Sequence, residues 1–480
     1  MNQFLAGLSN TKYTENGSLA YKSTKSALLD MFGLCGAYRG RTDADCIQLF
    51  SNAYQEDPSY ALKCLFYSRN VRGGQGERRY FRVCYKWLAN NHTEAAKRNM
   101  KHVPLFGRWD DLFVLFDTPL ENEMLAFIKE QLALDVSCKA PSLLAKWLPS
   151  ENTSSFQTRI KAARIRRYLG WTQRQYRKTL SVLRNRSRVL ERLMSEGRWD
   201  EIEFDKIPSK AGYKYRNAFA CNEYTKERYA AFALDKNTKV NASTMYPYEC
   251  VNEARTSNTN NAVVRAMTNK RWENLTNYFN EATFDGIAVV DVSGSMYGWG
   301  AAAPINVAVS LGLYCADKAK GPFANHFITF SDRPQLVQVR GKDFVEKVEN
   351  MCNADWGYNT NLEAVFNLLL DTAIRTRCNP ADIPKNLLIV SDMEIDEANC
   401  GPCANVIEDQ RLKWAAAGYT MPHLVYWNVD ARQDTFLDND PMATYVSGCS
   451  PSILQQLLTG KTGYDLMMEV LNSATYEMIG

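Results

Sequence analysis

The chain has 480 residues, 45 % apolar and 23 % charged, a globular balance that excludes wholesale disorder, collagen-like repeats and coiled coils. Its length predicts two or three domains rather than one compact core. The net charge of +4 hides a split: residues 281–480 hold 13 Lys+Arg against 25 Asp+Glu, leaving 44 basic and 28 acidic residues in 1–280. The basic part is expected to attract polyanions, nucleic acid first among them.

The start, MNQFLAGLSN, lacks the basic and apolar regions of a signal peptide. Residues 20–235 read as helix after helix. Apolar positions recur at three and four in Ala27–Leu34, Cys46–Tyr54, Ala61–Phe66 and Phe81–Leu88. Turn residues such as Glu56-Asp57-Pro58 and Asn90-Asn91 separate them. Helix pairs with short turns fit a HEAT-like α-solenoid, although no fixed-period repeat stands out. Residues 235–280 are polar and turn-prone and read as an irregular connector, with short helices at Val263–Met267 and Trp272–Phe279.

After residue 283 the period changes. Ile287–Val290, Phe327–Phe330, Leu387–Val390 and Leu424–Trp427 are short apolar runs, the pattern of strands buried on both faces of a parallel sheet. Helix-like stretches lie between them at Ile305–Cys315, Leu362–Thr376 and Val406–Ala417. This alternation predicts a doubly wound α/β domain over 281–480, following a helical domain over 1–280. The uncharged stretch Val292–Ala316 contains Pro304, Asn306 and four glycines and does not read as a membrane span. Thirteen scattered cysteines fit reduced thiols in a cytoplasmic protein.

Ligands of such sheets bind beyond the carboxyl ends of the strands. The first strand ends in Asp291-Val292-Ser293-Gly294-Ser295, a carboxylate and two hydroxyls spaced by two. Hard oxygen donors in this spacing suit a small cation such as Mg²⁺. A later loop opening a helix offers Thr360, and the strand Leu387–Val390 runs into Ser391-Asp392. In this pattern residues 281–450 resemble the von Willebrand factor A domain. That resemblance implies a metal-ion-dependent adhesion site of Asp291, Ser293, Ser295, Thr360 and Asp392, holding Mg²⁺ or another divalent cation. It further implies that a partner protein's carboxylate completes the metal shell, without hydrolysis. The alternative is a metal-free fold in which Asp291 and Ser293 cap a loop.

Cys400-Gly401-Pro402-Cys403 has the spacing of a redox dithiol. The flanking Glu397-Ala398-Asn399 lacks the expected tryptophan, and four histidines give zinc little support. The preferred reading is a loop with two free thiols. No general base, His–carboxylate pair or nucleophile elbow is evident, so an enzyme is not expected.

The segment Arg159–Arg192 holds twelve basic residues and one acid, Glu191. Thr172 and Gln175 form a capping-box signal for its second helix. Tyr176, Leu180, Leu183, Leu190 and Met194 share one side of a helical wheel, with Arg174, Arg177, Arg184, Arg188 and Arg192 roughly opposite. Arginine forks suit phosphate, and the scarcity of acids favours a polyanion site over a merely solvated face. The glycines of Arg69–Arg79 lack the Gly-Lys-Ser/Thr ending of a nucleotide loop and read as a turn between helices.

Arg69-Asn70-Val71-Arg72-Gly73-Gly74-Gln75-Gly76-Glu77-Arg78 and Leu105-Phe106-Gly107-Arg108-Trp109-Asp110-Asp111-Leu112 resemble landmarks of the Ro autoantigen (TROVE) helical ring and of its viral and eukaryotic relatives. Ala145-Lys146-Trp147-Leu148-Pro149 and Ile207-Pro208-Ser209-Lys210-Ala211 extend the match, which spans roughly 20–450. Ro proteins join such a ring to a von Willebrand A domain, in the order inferred here. The resemblance implies binding of structured or misfolded small RNA, with single-stranded ends in the ring's hole. Transferred to this sequence, Arg72, Arg78, Arg79, Lys146, Arg174, Arg177, Arg184 and Arg188 become candidate phosphate contacts. The competing reading is a metal-dependent protein-interaction adaptor that does not bind RNA, for example one serving an AAA+ ATPase.

Overall fold

The computed structural model describes residues 9–279, 283–298, 300–352, 360–396, 406–438, 440, 443–457 and 461–480. Cys400 and Cys403 lie outside the described residues. The first part is mostly helical, and the second is built on a six-stranded, mostly parallel sheet.

A short antiparallel hairpin, β1 (Thr11–Tyr13) and β2 (Leu19–Tyr21), precedes the helices. Helices then pack on their chain neighbours: Asp43–Glu56 against Ala27–Leu34, Pro58–Arg69 and Arg78–Asn91. Their ends carry local signals. Thr42 and Asp45 form a reciprocal capping box, and Asp57 caps a helix that opens on Pro58. Thr172 and Gln175 form the expected capping box of helix Gln173–Arg186. That helix ends before Leu190, because Arg188 takes a left-handed conformation at φ +45° and a new helix starts at Leu190. The arginine-rich segment is therefore three helices, Phe156–Leu169, Gln173–Arg186 and Leu190–Ser195.

The region after 235 carries two longer helices, Pro247–Thr256 and Ala262–Glu273. The expected helix over Trp272–Phe279 is absent beyond Glu273. Tertiary partners take the backbone groups it would have used: Tyr314 Oη donates to the Thr276 carbonyl at 2.6 Å, and the Tyr278 amide donates to Tyr314 Oη at 2.9 Å.

The four apolar runs form β3 (Gly286–Asp291), β4 (His326–Phe330), β6 (Asn386–Ser391) and β7 (His423–Asn428). Two further strands are β5 (Leu336–Gln338), an exposed antiparallel edge, and β8 (Thr444–Ser447). Neither contains a continuous apolar run, so neither is legible from hydrophobicity. The order is β5-β4-β3-β6-β7-β8. The chain leaves β3 toward one edge and β6 toward the other, so the strand order reverses between them. A crevice opens at such a switch point, beyond the carboxyl ends.

One apolar core runs from the N-terminal helices into the sheet, and a smaller cluster lies around Phe204, Phe219 and Tyr229. Helix Ala27–Leu34 packs on β8. Here Gly36 and Gly448 permit a close backbone approach: a Cβ on Gly36 would lie 2.7 Å from the Ser447 carbonyl oxygen. Tyr476 stacks on Phe106 at 5.5 Å, and the Asn99 side chain donates to the Gly480 carbonyl. No helix of the described residues is long and apolar enough to cross a membrane.

Candidate nucleic-acid interface and candidate metal centre

The turn between helices Pro58–Arg69 and Arg78–Asn91 is held by its own backbone. Asn70 Oδ1 accepts from the amides of Arg72 and Gly73, the Gln75 amide donates to the Tyr67 carbonyl, and the Glu77 amide donates to the Ser68 carbonyl. Gly76 sits at φ +66°, where a Cβ would lie 1.8 Å from Tyr246 Oη, so only glycine fits. This turn borders a recess of about 900 Å³. Arg39, Arg69, Arg72, Arg78, Arg79, Arg108 and Lys210 line it, with Glu77 as its one acidic lining residue. The aromatic walls are Trp109, Trp147, Tyr246 and Tyr248. The four stretches that carry the family landmarks thus converge on one cavity.

Arg78 is the first residue of its helix, whose N-terminus has no side-chain cap. Among the described residues it makes no hydrogen bond or ion pair. Partial burial lowers its pKa, with the like charges of Arg108 and Arg82 beside it. Asp110 and Asp111 offset part of that repulsion without pairing with it, and a cation without a direct partner at a helix N-terminus favours an anion there. Its neighbours are balanced internally. Asp111, fully buried, accepts from Arg69 Nε at 2.8 Å and Arg82 Nε at 2.6 Å, and Asp110 pairs with Arg108 at 2.6 Å. The acidic pair of the Trp-Asp-Asp motif therefore orients Arg69 and Arg108, which line the recess, together with Arg82.

The other candidates differ in how much of their charge is free. Arg72 is exposed and donates to the Leu105 carbonyl. Arg79 pairs with Asp43, Arg188 with Glu203 at 3.0 Å, and Lys146 approaches Glu191 at 3.7 Å. Arg184 donates to the Ala145 and Leu148 carbonyls and to Ser150 Oγ. It braces the helix end Leu144–Trp147, so its guanidinium is not free for phosphate. Arg174 and Arg177 are exposed and make no hydrogen bond or ion pair among the described residues. Lys146, Arg177 and Arg184 line a second recess of about 930 Å³, and Trp147 lines both. The residue-type reading missed Arg39, Arg108, Lys210 and Trp147. Their signal was positional, since three of them sit inside the landmark motifs.

At the switch point, Asp291 ends β3 and is fully buried. Its Oδ1 accepts from the Ser293 amide at 2.8 Å and its Oδ2 from Ser391 Oγ at 2.6 Å. Burial pushes its carboxyl up to about 7, and the charge of Asp392 adds to the shift. Ser293 Oγ and Ser295 Oγ lie 3.0 Å apart. Thr360 packs on the loop after β6: its amide donates to Asp396 at 2.7 Å and its hydroxyl to the Glu394 carbonyl at 3.2 Å. The five expected ligands thus gather at one end of the sheet. Two buried like charges beside three hydroxyls are a donor set that fits a hard divalent cation. Among the described residues no three His, Cys, Asp or Glu side chains form a metal cluster. The sequence reading missed Arg432, whose Nη2 lies 3.0 Å from Asp392 and whose Nη1 lies 3.0 Å from Glu15.

The family model described as "Domain of unknown function (DUF2828)" matches residues 14–141 and 140–282, more than half of the chain. The chain belongs to the DUF2828 family. A second model, "Domain of unknown function (DUF7788)", matches 285–477. The uncharacterized protein L728 of Acanthamoeba polyphaga mimivirus is 31 % identical over 505 residues, covering 95 % of this DUF2828 chain and 86 % of the viral one. The crystal structure of the Deinococcus radiodurans Ro (RSR) protein aligns with a TM-score of 0.47 at 13 % identity, over 94 % of this chain and 99 % of that one.

Proposed function

We propose that this protein is a Ro-like RNA-binding protein. Its helical part holds structured or misfolded small RNA by the phosphate backbone, and it catalyses no reaction. The observation that carries the reading is Arg78. A helix N-terminus and an unpaired guanidinium face a cavity lined by seven cations and one acid. Such a surface attracts polyphosphate, and the phosphate contacts supply most of the affinity. Among the candidates, Arg72, Arg78, Arg174 and Arg177 are the contacts whose charge is not paired with an acid among the described residues. The test is filter binding of a structured RNA with a single-stranded tail, against a charge-neutralised R72Q/R78Q variant. Tight binding by wild type and at least about a tenfold loss in the variant support the reading. Equal binding by both refutes it.

A second activity rests on the carboxylate pair at the switch point. The α/β part is read as a von Willebrand A-like domain in which Asp291, Ser293, Ser295, Thr360 and Asp392 hold Mg²⁺. Held there, such a cation would supply Lewis acidity toward a partner protein's carboxylate. The chain's own contribution is to pre-place the oxygens: Ser391 and the Ser293 amide orient Asp291, and Thr360 is fixed against the Glu394 carbonyl. This metal face remains as the sole activity if RNA binding fails. A lysate pulldown in Mg²⁺ and in chelator separates the two, since metal-dependent docking requires the captured set to change.

A further inference from the structure

Trp147 stands where the two basic recesses meet and lines both. It is half-buried, at the end of the short helix Leu144–Trp147. The Arg184 guanidinium fixes that helix end through the Ala145 and Leu148 carbonyls. The Arg108 guanidinium lies over the indole, 4.0 Å from the ring centroid, and Lys146 Nζ lies 5.7 Å away. Arg108 is itself held by Asp110. The indole is thus a positioned aromatic surface flanked by cations, with Arg72 and Arg78 in one recess and Lys146 and Arg177 in the other.

Arg108 covers one face of the indole, but the ring is only half-buried and lines both recesses, so its remaining surface is suited to stacking. A purely electrostatic groove would need no aromatic at this junction. We infer that Trp147 is a base-stacking platform, and that an unpaired nucleotide sits on it with its neighbouring phosphates divided between the two recesses. The inference rests on the RNA-binding reading and deepens it, because it adds recognition of a base to recognition of charge. A base locked in a duplex offers no free face to an indole. The subsite therefore selects unpaired segments over helical ones of the same charge.

The experiment compares an oligouridylate of about 12 nucleotides with an abasic oligomer of the same length and charge, by fluorescence anisotropy. Wild type is expected to bind the oligouridylate about tenfold more tightly than the abasic oligomer. W147A should collapse that ratio toward one, W147F should retain most of it, and R78E should weaken both oligomers while keeping it. A 5-iodouridine version photocrosslinked to wild type should give an adduct at Trp147, a readout that needs no variant. Equal affinity of wild type for the two oligomers, an unchanged ratio in W147A, or adducts only at other aromatics would overturn the stacking while leaving RNA binding intact. Wild type that binds neither oligomer overturns both.

Discussion

The charge reversal R78E separates function from stability, because it moves them in opposite directions. Arg78 opens a helix of fourteen residues, has no partner of its own, and stands four residues before Arg82. A cation in the first turn opposes the helix dipole, whereas a carboxylate there is favoured by about 0.3–1 kcal/mol. The same change turns a like-charge i,i+4 pair into an attractive one, worth about 0.2–0.5 kcal/mol. Repulsion from Asp110 and Asp111 offsets part of this, so R78E should be as stable as wild type in urea unfolding or more stable by up to about 1 kcal/mol. RNA binding should weaken about tenfold at ~50 mM salt, and the slope of log K against log salt should become shallower by about 0.7 for a single strand. Urea titration and filter binding on the same preparation give both numbers. A variant destabilised by more than about 1 kcal/mol, or one with unaltered affinity and salt slope, would refute the assignment of Arg78 as a free phosphate contact.

Removing the carboxylate in D111A strands the buried guanidinium of Arg69 and should cost about 3–5 kcal/mol in urea unfolding; a loss below about 1 kcal/mol would mean the buried pair does not organise the recess. Burial lowers the pKa of His423, which hydrogen-bonds Thr444 at 2.9 Å. The folded state therefore favours the neutral ring, and its contribution is present above about pH 6.5 and lost as pH falls through the lowered value. The stability advantage of wild type over H423Q should shrink on acidification, and a pH-independent gap would contradict this. Mg²⁺ should raise the thermal midpoint of wild type, by about 2.7 kcal/mol of stability at 100 times Kd. D291N should abolish that response while stabilising the metal-free protein by relieving the buried charge pair. An equal Mg²⁺ response in D291N would remove the metal site.

Local patterns carried the central elements. The helix Leu362–Thr376 has the bounds its apolar spacing predicts, and the four apolar runs became the four inner strands of the sheet. The capping box at Thr172 formed because it needs only residues three apart. Elements set by tertiary context were not legible. The hairpin at 11–21 is polar and exists because β2 pairs with Phe436, more than four hundred residues away. Strand β8 has three hydroxyl-bearing residues among its four, yet it is wholly buried and packs against the helix Ala27–Leu34. In the basic cleft, residue type identified Arg72 and Arg78 but could not separate Arg177, which is free, from Arg184, which is spent on carbonyls. Charge counting sees neither hydrogen-bond partners nor direction. The positions of Asp291 and Asp392 were legible because they stand at or just past strand ends, where topology fixes position. Arg432 was not, since nothing local links it to Asp392.

The most direct measurement is the affinity for a structured RNA with a single-stranded tail, followed from about 50 to 200 mM salt. Several phosphate contacts in the Arg72–Arg78 recess require log K to fall linearly with log salt, by two orders of magnitude or more over about that range. No binding at the low-salt end, or an affinity that salt leaves unchanged, would contradict a helical part built to grip polyphosphate.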